Sequence, residues 1–243
     1  MDSPSTANRR RRRGSLDQER ILAAAFGLAE ESGLDAFTMP ELAGRMGVGV
    51  TGLYWHFKTK DDLLRAMSGP ALQRLDALML SVEGEDPAQW RDFMGRYFRR
   101  LRDVYTDQPL LTDITLTRLA PQSHEAMATA FASVDRLIAY LVSAGFTVAD
   151  AWYAHAAAEL FTQGTVIAER TRTRYGMPPP GHEHIREFTD VDLPNLTELV
   201  RTESVHLDMT GGRGFDVGLD AIQFGLENNP NTESGDSNPG GGP

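Results

Sequence analysis

A chain of 243 residues, 41% hydrophobic and 24% charged, carries enough apolar content to pack one or two domains without a covalent staple. It contains no cysteine, which excludes thiol catalysis, thiolate zinc sites and a disulfide framework. The formal charge of -10 is unevenly shared, ten Lys/Arg against nine Asp/Glu up to Ala66 and fourteen against twenty-five beyond it, which confines contact with nucleic acid to the N-terminal end.

Residues 1–14 read as a polar basic arm, with five consecutive arginines from Arg9 to Arg13. The arginines lead into Gly14-Ser15-Leu16-Asp17-Gln18-Glu19 and not into an apolar segment, so they do not begin a signal peptide. No run approaches the roughly 18 apolar residues of a membrane span. The expectation is a soluble cytoplasmic protein that does not enter a membrane.

The helical pattern starts at Ser15, which with Gln18 makes a capping box. Ile21, Ala25, Leu28 and Ala29 share one face, and Gly33 ends the helix. Thr38 and Glu41 form a second box, with Phe37 and Leu42 at the positions of a hydrophobic staple and Pro40 tolerated in the first turn. This helix can run only to Gly47. A third short helix fits about Val50 to Phe57, and Thr59 caps a fourth whose core face is Leu63, Leu64 and Met67. Gly69-Pro70 should end or kink it. Two short helices joined by a tight turn and braced on both sides have the organisation of a helix-turn-helix module.

Beyond Pro70 the periodicity predicts helices over about 71–82, 87–105, 108–118, 122–144 and 148–173, a short one near 195–202 and a last one over 215–227. No strand pattern competes. The stretch between Thr171 and Arg213 is mostly loop, and the tail from Asn228 has almost no apolar residue and should be disordered. The fold class is therefore all-α: an arm (1–14), a helix-turn-helix domain (15–68), a second helical domain (69–228) and a tail (229–243).

Gly47-Val48-Gly49-Val50-Thr51-Gly52 satisfies the G-x-G-x-x-G dinucleotide pattern. That chemistry needs a strand before the first glycine, whereas a capped helix precedes it here. Gly47 is better read as a left-handed helix end, with Gly49 and Gly52 as small residues beside a tight turn.

The run Thr38-Met39-Pro40-Glu41-Leu42-Ala43-Gly44-Arg45-Met46-Gly47-Val48, followed by Leu53-Tyr54-Trp55-His56-Phe57-Lys58-Thr59-Lys60, resembles the DNA-binding domain of the tetracycline-repressor (TetR) family. The match covers roughly residues 16–67. The distal chain resembles the regulatory domain of the tetracycline repressor's own subgroup, through Ala144-Gly145-Phe146-Thr147, Phe161-Thr162-Gln163-Gly164, and Phe215-x-x-Gly218-Leu219-Asp220 with Gly225-Leu226-Glu227.

The resemblance implies that the third helix lies in the major groove of double-stranded DNA, with Val50, Thr51 and Gly52 toward base edges and Tyr54, Trp55 and His56 one turn later. It assigns Tyr54 and His56 to phosphate or groove contacts and Lys60 to a phosphate. Thr38, at the start of the second helix, joins this set. Leu53 and Phe57, four apart, read as core, and Trp55 as partly core. Gly49 stands where the family commonly has a capping Ser or Thr, and Pro40 where it often has a basic or polar residue. Val50 and Gly52 offer no side-chain hydrogen bond, so direct readout should be thin. Arg10 and Arg12 of the arm would add sequence-independent affinity from the minor groove.

The resemblance also implies a small-molecule inducer pocket and a homodimer built on the helices at about 148–173 and 214–228. Ala156, Ala157, Ala158 and Gly164 would allow close approach, and Leu219, Ile222, Phe224 and Leu226 would supply apolar area. A dimer would space its reading helices by about one DNA turn, roughly 34–36 Å, to fit a palindromic operator. Tyr97, Leu101, Arg118, Val134, Leu137, Trp152, His155 and Glu159 fall near pocket-lining positions. The subgroup's magnesium–drug complex uses a histidine before a Thr-Arg pair and a glutamate late in the long dimer helix. Asp113–Arg118 has no histidine, and the glutamate position aligns with Ala168 beside Glu169, so a tetracycline–magnesium ligand is not expected.

His155 and Glu159 could instead suggest a metal pair, but two ligands make no site and a hydrogen-bonded pair is the plainer reading. His182-Glu183-His184 reads as loop surface. The expected function is a ligand-responsive repressor released from its operator by an inducer, with no cofactor, no metal and no enzymatic activity. The same motifs allow an activator or a ligand-independent DNA binder. From another class, the glycines or the His155/Glu159 pair allow a helical enzyme.

Overall fold

The computed structural model describes residues 17–117, 124–177, 192–203 and 210–227. Among them the regular structure is entirely helical. The predicted arm with Arg10 and Arg12, together with Arg118, the His182–His184 loop and the tail, lies outside the described residues. The chain divides into two compact units, one running to Leu78 and including Asp107–Ala132, the other comprising Met79–Thr106 and the chain from Ser133.

In the first unit, α1 (Gln18–Ser32) buries Ile21, Ala25 and Ala29. Its cap is Asp17 and not the expected Ser15. The Asp17 carboxylate accepts the Arg20 N–H at 2.8 Å, a charge-assisted bond at the positive end of the helix dipole. Gly33, at φ +86°, ends the helix. In α2 (Met39–Met46) the capping box forms as read: Thr38 N donates to Glu41 Oε2 at 2.7 Å while Glu41 N donates back to Thr38 Oγ1. Gly47 closes α2 at φ +67°, the left-handed conformation, so the first glycine of the dinucleotide-like motif is a helix cap with no strand before it. α3 (Val50–His56) follows at once, and Gly49 gives it no side-chain cap.

α4 (Lys60–Leu78) starts at a reciprocal box of Thr59 and Asp62, with bonds of 3.0 and 3.1 Å. It does not end at Pro70, the first of the two outcomes that the sequence allowed there. Proline drives the preceding residue out of helical geometry by colliding with its Cβ, and Gly69 has none. One backbone bond is lost, while burial of Met67, Ser68, Gly69 and Ala71 favours continuation. The segment expected as one helix over 108–118 is a single turn, α6 (Pro109–Thr112), running into a π-helical turn at Asp113–Thr117. There Thr112 and Thr115 donate their hydroxyls to the carbonyls four residues back, at 3.1 and 2.8 Å, which loosens the regular ladder. Arg74 of α4 reaches Glu30 at 3.3 Å and Gln108 at 2.8 Å.

The second unit contains α5 (Trp90–Asp107), the C-terminal half of α7 (His124–Ser143), α8 (Val148–Arg174), α9 (Pro194–Glu203) and α10 (Gly212–Glu227). α5 buries Phe93, Phe98, Leu101, Val104 and Tyr105, a helical stripe. Phe93 packs on Tyr140 of α7 at 4.9 Å, and Trp90 meets Phe146 edge-on at 4.9 Å. Thr147 caps α8 by accepting Asp150 N at 3.1 Å.

One stretch corrects the expectation about apolar runs. Ala126–Ser143 in α7 is 18 residues long with a mean hydropathy of 1.3, enough by length and composition to cross a bilayer. Asp135 and Arg136 sit at its middle, where each charge opposes insertion by about 2.5–3.5 kcal/mol, and Leu137, Tyr140 and Leu141 are buried against protein.

Candidate functional site

The first unit holds α3 by two side chains four apart. Leu53 is wholly buried and Phe57 nearly so. Everything else on this short helix faces outward. Trp55 is 85% exposed and Tyr54 43%, Thr51 is exposed, and Val50, Gly52 and His56 are partly covered. Trp55 is therefore not core, a correction to the sequence reading. An indole this open contributes little to the core, and its face is available to a partner. Val50, Thr51, Gly52, Tyr54, Trp55 and His56 thus lie together on one seven-residue helix at the surface of a helix-turn-helix.

Two other predicted DNA contacts are already engaged. Thr38 is committed to its cap, its hydroxyl 2.9 Å from Glu41 Oε2. Lys60 turns back on the α1–α2 connection: Nζ donates to Phe37 O at 2.6 Å and Asp35 O at 3.1 Å, and lies 4.4 Å from the centre of the Phe37 ring. Arg45 is held by Glu31 through two bonds of 2.5 and 2.7 Å, which lower the Glu31 carboxyl and raise the guanidinium.

In the second unit Leu101, Leu137 and His155 are buried, Tyr97 and Val134 are half-buried, and Trp152 is partly open. The Phe98 and Trp152 rings lie 6.0 and 6.3 Å from the imidazole of His155. Burial pushes that imidazole down to about 4, so it is neutral at physiological pH, and its Nδ1 has no hydrogen-bond partner. Glu159, one turn further along α8, accepts from Gln163 Nε2 at 2.6 Å and from the Tyr105 hydroxyl. Its burial outweighs both bonds and pushes its carboxyl up. Among the described residues no group of three or more His, Asp or Glu is placed to hold a metal ion.

Sequence reasoning missed Phe98, Arg102 and Tyr105. Arg102 binds Glu169 at 3.0 Å and lies 5.3 Å from the Phe215 ring. All three share the face of α5 that Leu101 marks, at spacings of three and four, so the signal was helical periodicity.

α8 packs on α10, with Phe161 stacked on Phe215 at 5.4 Å. A Cβ at Gly218 would stand 2.3 Å from Phe161 Cζ, so the glycine is what lets this ring lie on α10. Leu219 is wholly buried and Ala158 nearly so within the chain, which removes both from the predicted dimer surface. The apolar side chains that α8 and α10 do expose include Val148, Tyr153, Leu160, Val217 and Phe224, each more than half open.

An all-helical chain whose first unit presents an aromatic recognition helix from a helix-turn-helix has the build of a DNA-binding regulator. The comparisons agree. Residues 21–67 match the family described as bacterial regulatory proteins, tetR family, and residues 83–229 match the tetracyclin repressor-like C-terminal domain. An HTH-type transcriptional repressor of Mycobacterium tuberculosis is 32% identical over 230 residues, covering 93% of this chain and 84% of that protein. The class D tetracycline repressor protein of Escherichia coli is 28% identical over 219 residues, 87% of this chain and 89% of its own. Among solved structures, a possible TetR family transcriptional regulator from Streptomyces coelicolor superposes with a TM-score of 0.62 at 27% identity, covering 87% of this chain and 98% of that one. The chain belongs to the TetR family of bacterial transcriptional regulators.

Proposed function

We propose that this protein is a ligand-responsive repressor that binds a palindromic operator as a homodimer and leaves it when a small molecule occupies the body. The observation that carries the reading is the outward aromatic face of α3, with Trp55 85% exposed beside Thr51 and Tyr54 on a helix anchored by Leu53 and Phe57. In this reading residues 15–68 form the reading head, which enters the major groove with Thr51, Tyr54, Trp55 and His56. Lys60 and Thr38 contribute at the groove edge by sharing hydrogen-bonding capacity with their partners in the fold. Arg10 and Arg12 of the basic arm 1–14 add phosphate attraction. Residues 69–228 form the body, in which Tyr97, Leu101, Val134, Leu137, Trp152, His155 and Glu159 line the inducer site. The exposed apolar side chains of α8 and α10 supply the dimer contact. A repressor working in this way resides in the cytoplasm with its DNA.

The repression mechanism requires the inducer to bind the DNA-incompetent arrangement more tightly, since equal affinity for both shifts nothing. The relatives point the same way: the Mycobacterium tuberculosis protein is named a repressor, and the Escherichia coli protein a tetracycline repressor.

The test is titration of the purified chain onto a fluorescent duplex from upstream of its own gene, against salt and random competitor. Binding that survives competitor at two chains per duplex supports the reading. Absence of binding at low salt by a folded dimer refutes it. Removing residues 1–13 should weaken binding and flatten its salt slope; an unchanged slope would exclude the arm.

A further inference from the structure

We infer that the body recognises an uncharged hydroxylated aromatic compound, bound without a metal ion, and that His155 is the side chain that hydrogen-bonds its hydroxyl group. The inference rests on the ligand-responsive reading above and specifies the chemistry of its ligand. Its observations all come from the second unit.

His155 is 7% exposed, yet its Nδ1 is buried with no hydrogen-bond partner. Folded proteins rarely leave a buried polar nitrogen unpaired without a use for it. Two aromatic rings flank it: Phe98, 6.0 Å away, is wholly buried, and Trp152, 6.3 Å away, is 44% exposed. An aromatic wall next to one unsatisfied polar atom suits a flat apolar ligand carrying a single directional group.

The surrounding charges decide against an ion. Glu159 already accepts from Gln163 and Tyr105 and burial pushes its carboxyl up, so a cation would have to displace both bonds to use it. Glu169 is paired with Arg102, whose guanidinium also lies against the Phe215 ring, so of this pair Arg102 Nε is the buried atom without a partner. Burial keeps His155 itself neutral, so it offers no charge to an anion. A neutral imidazole with Nδ1 unprotonated accepts a hydrogen bond from a phenolic hydroxyl and can take none from an ether.

The experiment uses the full chain, with calorimetric binding of 2-naphthol and its methyl ether, 2-methoxynaphthalene, to wild type, His155→Phe and His155→Gln. The expected result is saturable 2-naphthol binding unaffected by EDTA and at least tenfold weaker binding of the ether. That preference should fall to within twofold in His155→Phe and return at least in part in His155→Gln. Melting curves confirm that each variant is folded. A preference unchanged in His155→Phe, or no naphthol binding to the folded wild type, overturns the assignment. So does binding confined to tetracycline with magnesium chloride or to the tetraphenylphosphonium cation. Release of an operator duplex is scored separately. Histidine-dependent binding that never releases DNA refutes the ligand-responsive reading and leaves the His155 contact standing, whereas release by a compound indifferent to His155 does the reverse.

Discussion

The two units expose their aromatic residues on different kinds of helix. The second unit buries Phe93, Phe98, Tyr105 and Phe215 and leaves Tyr153 and Phe224 open on the long α8 and on α10, whereas the first buries Phe37 and Phe57 and leaves Tyr54 and Trp55 in water on the seven-residue α3. The two placements follow from what each unit must contact. A packing aromatic is satisfied within the chain, but an exposed aromatic on a short, well-anchored helix is stabilised only by something outside it. The head offers aromatic side chains at a surface, and the body holds buried nitrogens without a partner, His155 Nδ1 and Arg102 Nε among them, in its interior.

This contrast can be broken by exchanging roles. The largest effect is expected at the anchor of α3. Leu53→Ala should cost about 2–5 kcal/mol of stability, the usual range for a wholly buried leucine, and DNA binding should fall with it. Urea denaturation read against the wild type decides this, and a loss below 1 kcal/mol would mean that α3 is not held by Leu53.

In the body, Gly218→Ala should destabilise by about 1–3 kcal/mol, because the new methyl meets the Phe161 ring. In the Phe161→Ala background the same change should cost much less. Additive losses would show that the ring and the glycine are unrelated.

A pH series isolates the interior group. Because the folded imidazole sits near 4, below its ordinary 6.5, the unfolded chain takes up the proton first as pH falls. The His155 contribution is whole above about pH 6.5 and is lost from there toward pH 4. Between pH 7 and 5 the wild type should lose up to about 2 kcal/mol relative to His155→Phe. Glu159 has the opposite sign, its raised carboxyl contributing stability in acid that is lost as pH rises, so the difference between the two proteins is the informative quantity. Parallel stability curves would place His155 in water. The smallest effect is expected at Glu31→Gln, where a pair open to solvent is screened and its loss should leave the melting temperature within repeat scatter.

The head was more legible in the sequence than the body because its signals are local. Thr38 with Glu41, Gly47 and the Leu53/Phe57 spacing each act within a few residues, and each stands where the sequence placed it. Local signals also misled where a neighbour changed their meaning: Gly69, with no Cβ, relieved part of the strain at Pro70 and the helix continued, and Asp17 displaced Ser15 as a cap. The bonds from Lys60 to the carbonyls of Asp35 and Phe37 had no signal nearby in the sequence. The body's chemistry is non-local throughout. Whether Leu219 faced a partner or its own core, and whether Arg102 met Glu169, depends on helices more than sixty residues apart, and periodicity gives a face without saying what covers it.

The central claim is that α3 reads DNA through side chains that the fold does not need. Trp55→Ala tests it most directly, with operator binding and thermal melting measured on the same preparation. Specific binding should fall at least about tenfold, the size of a lost base-edge contact, at an unchanged melting temperature. Full binding by the folded variant, or a large drop in melting temperature, would contradict it.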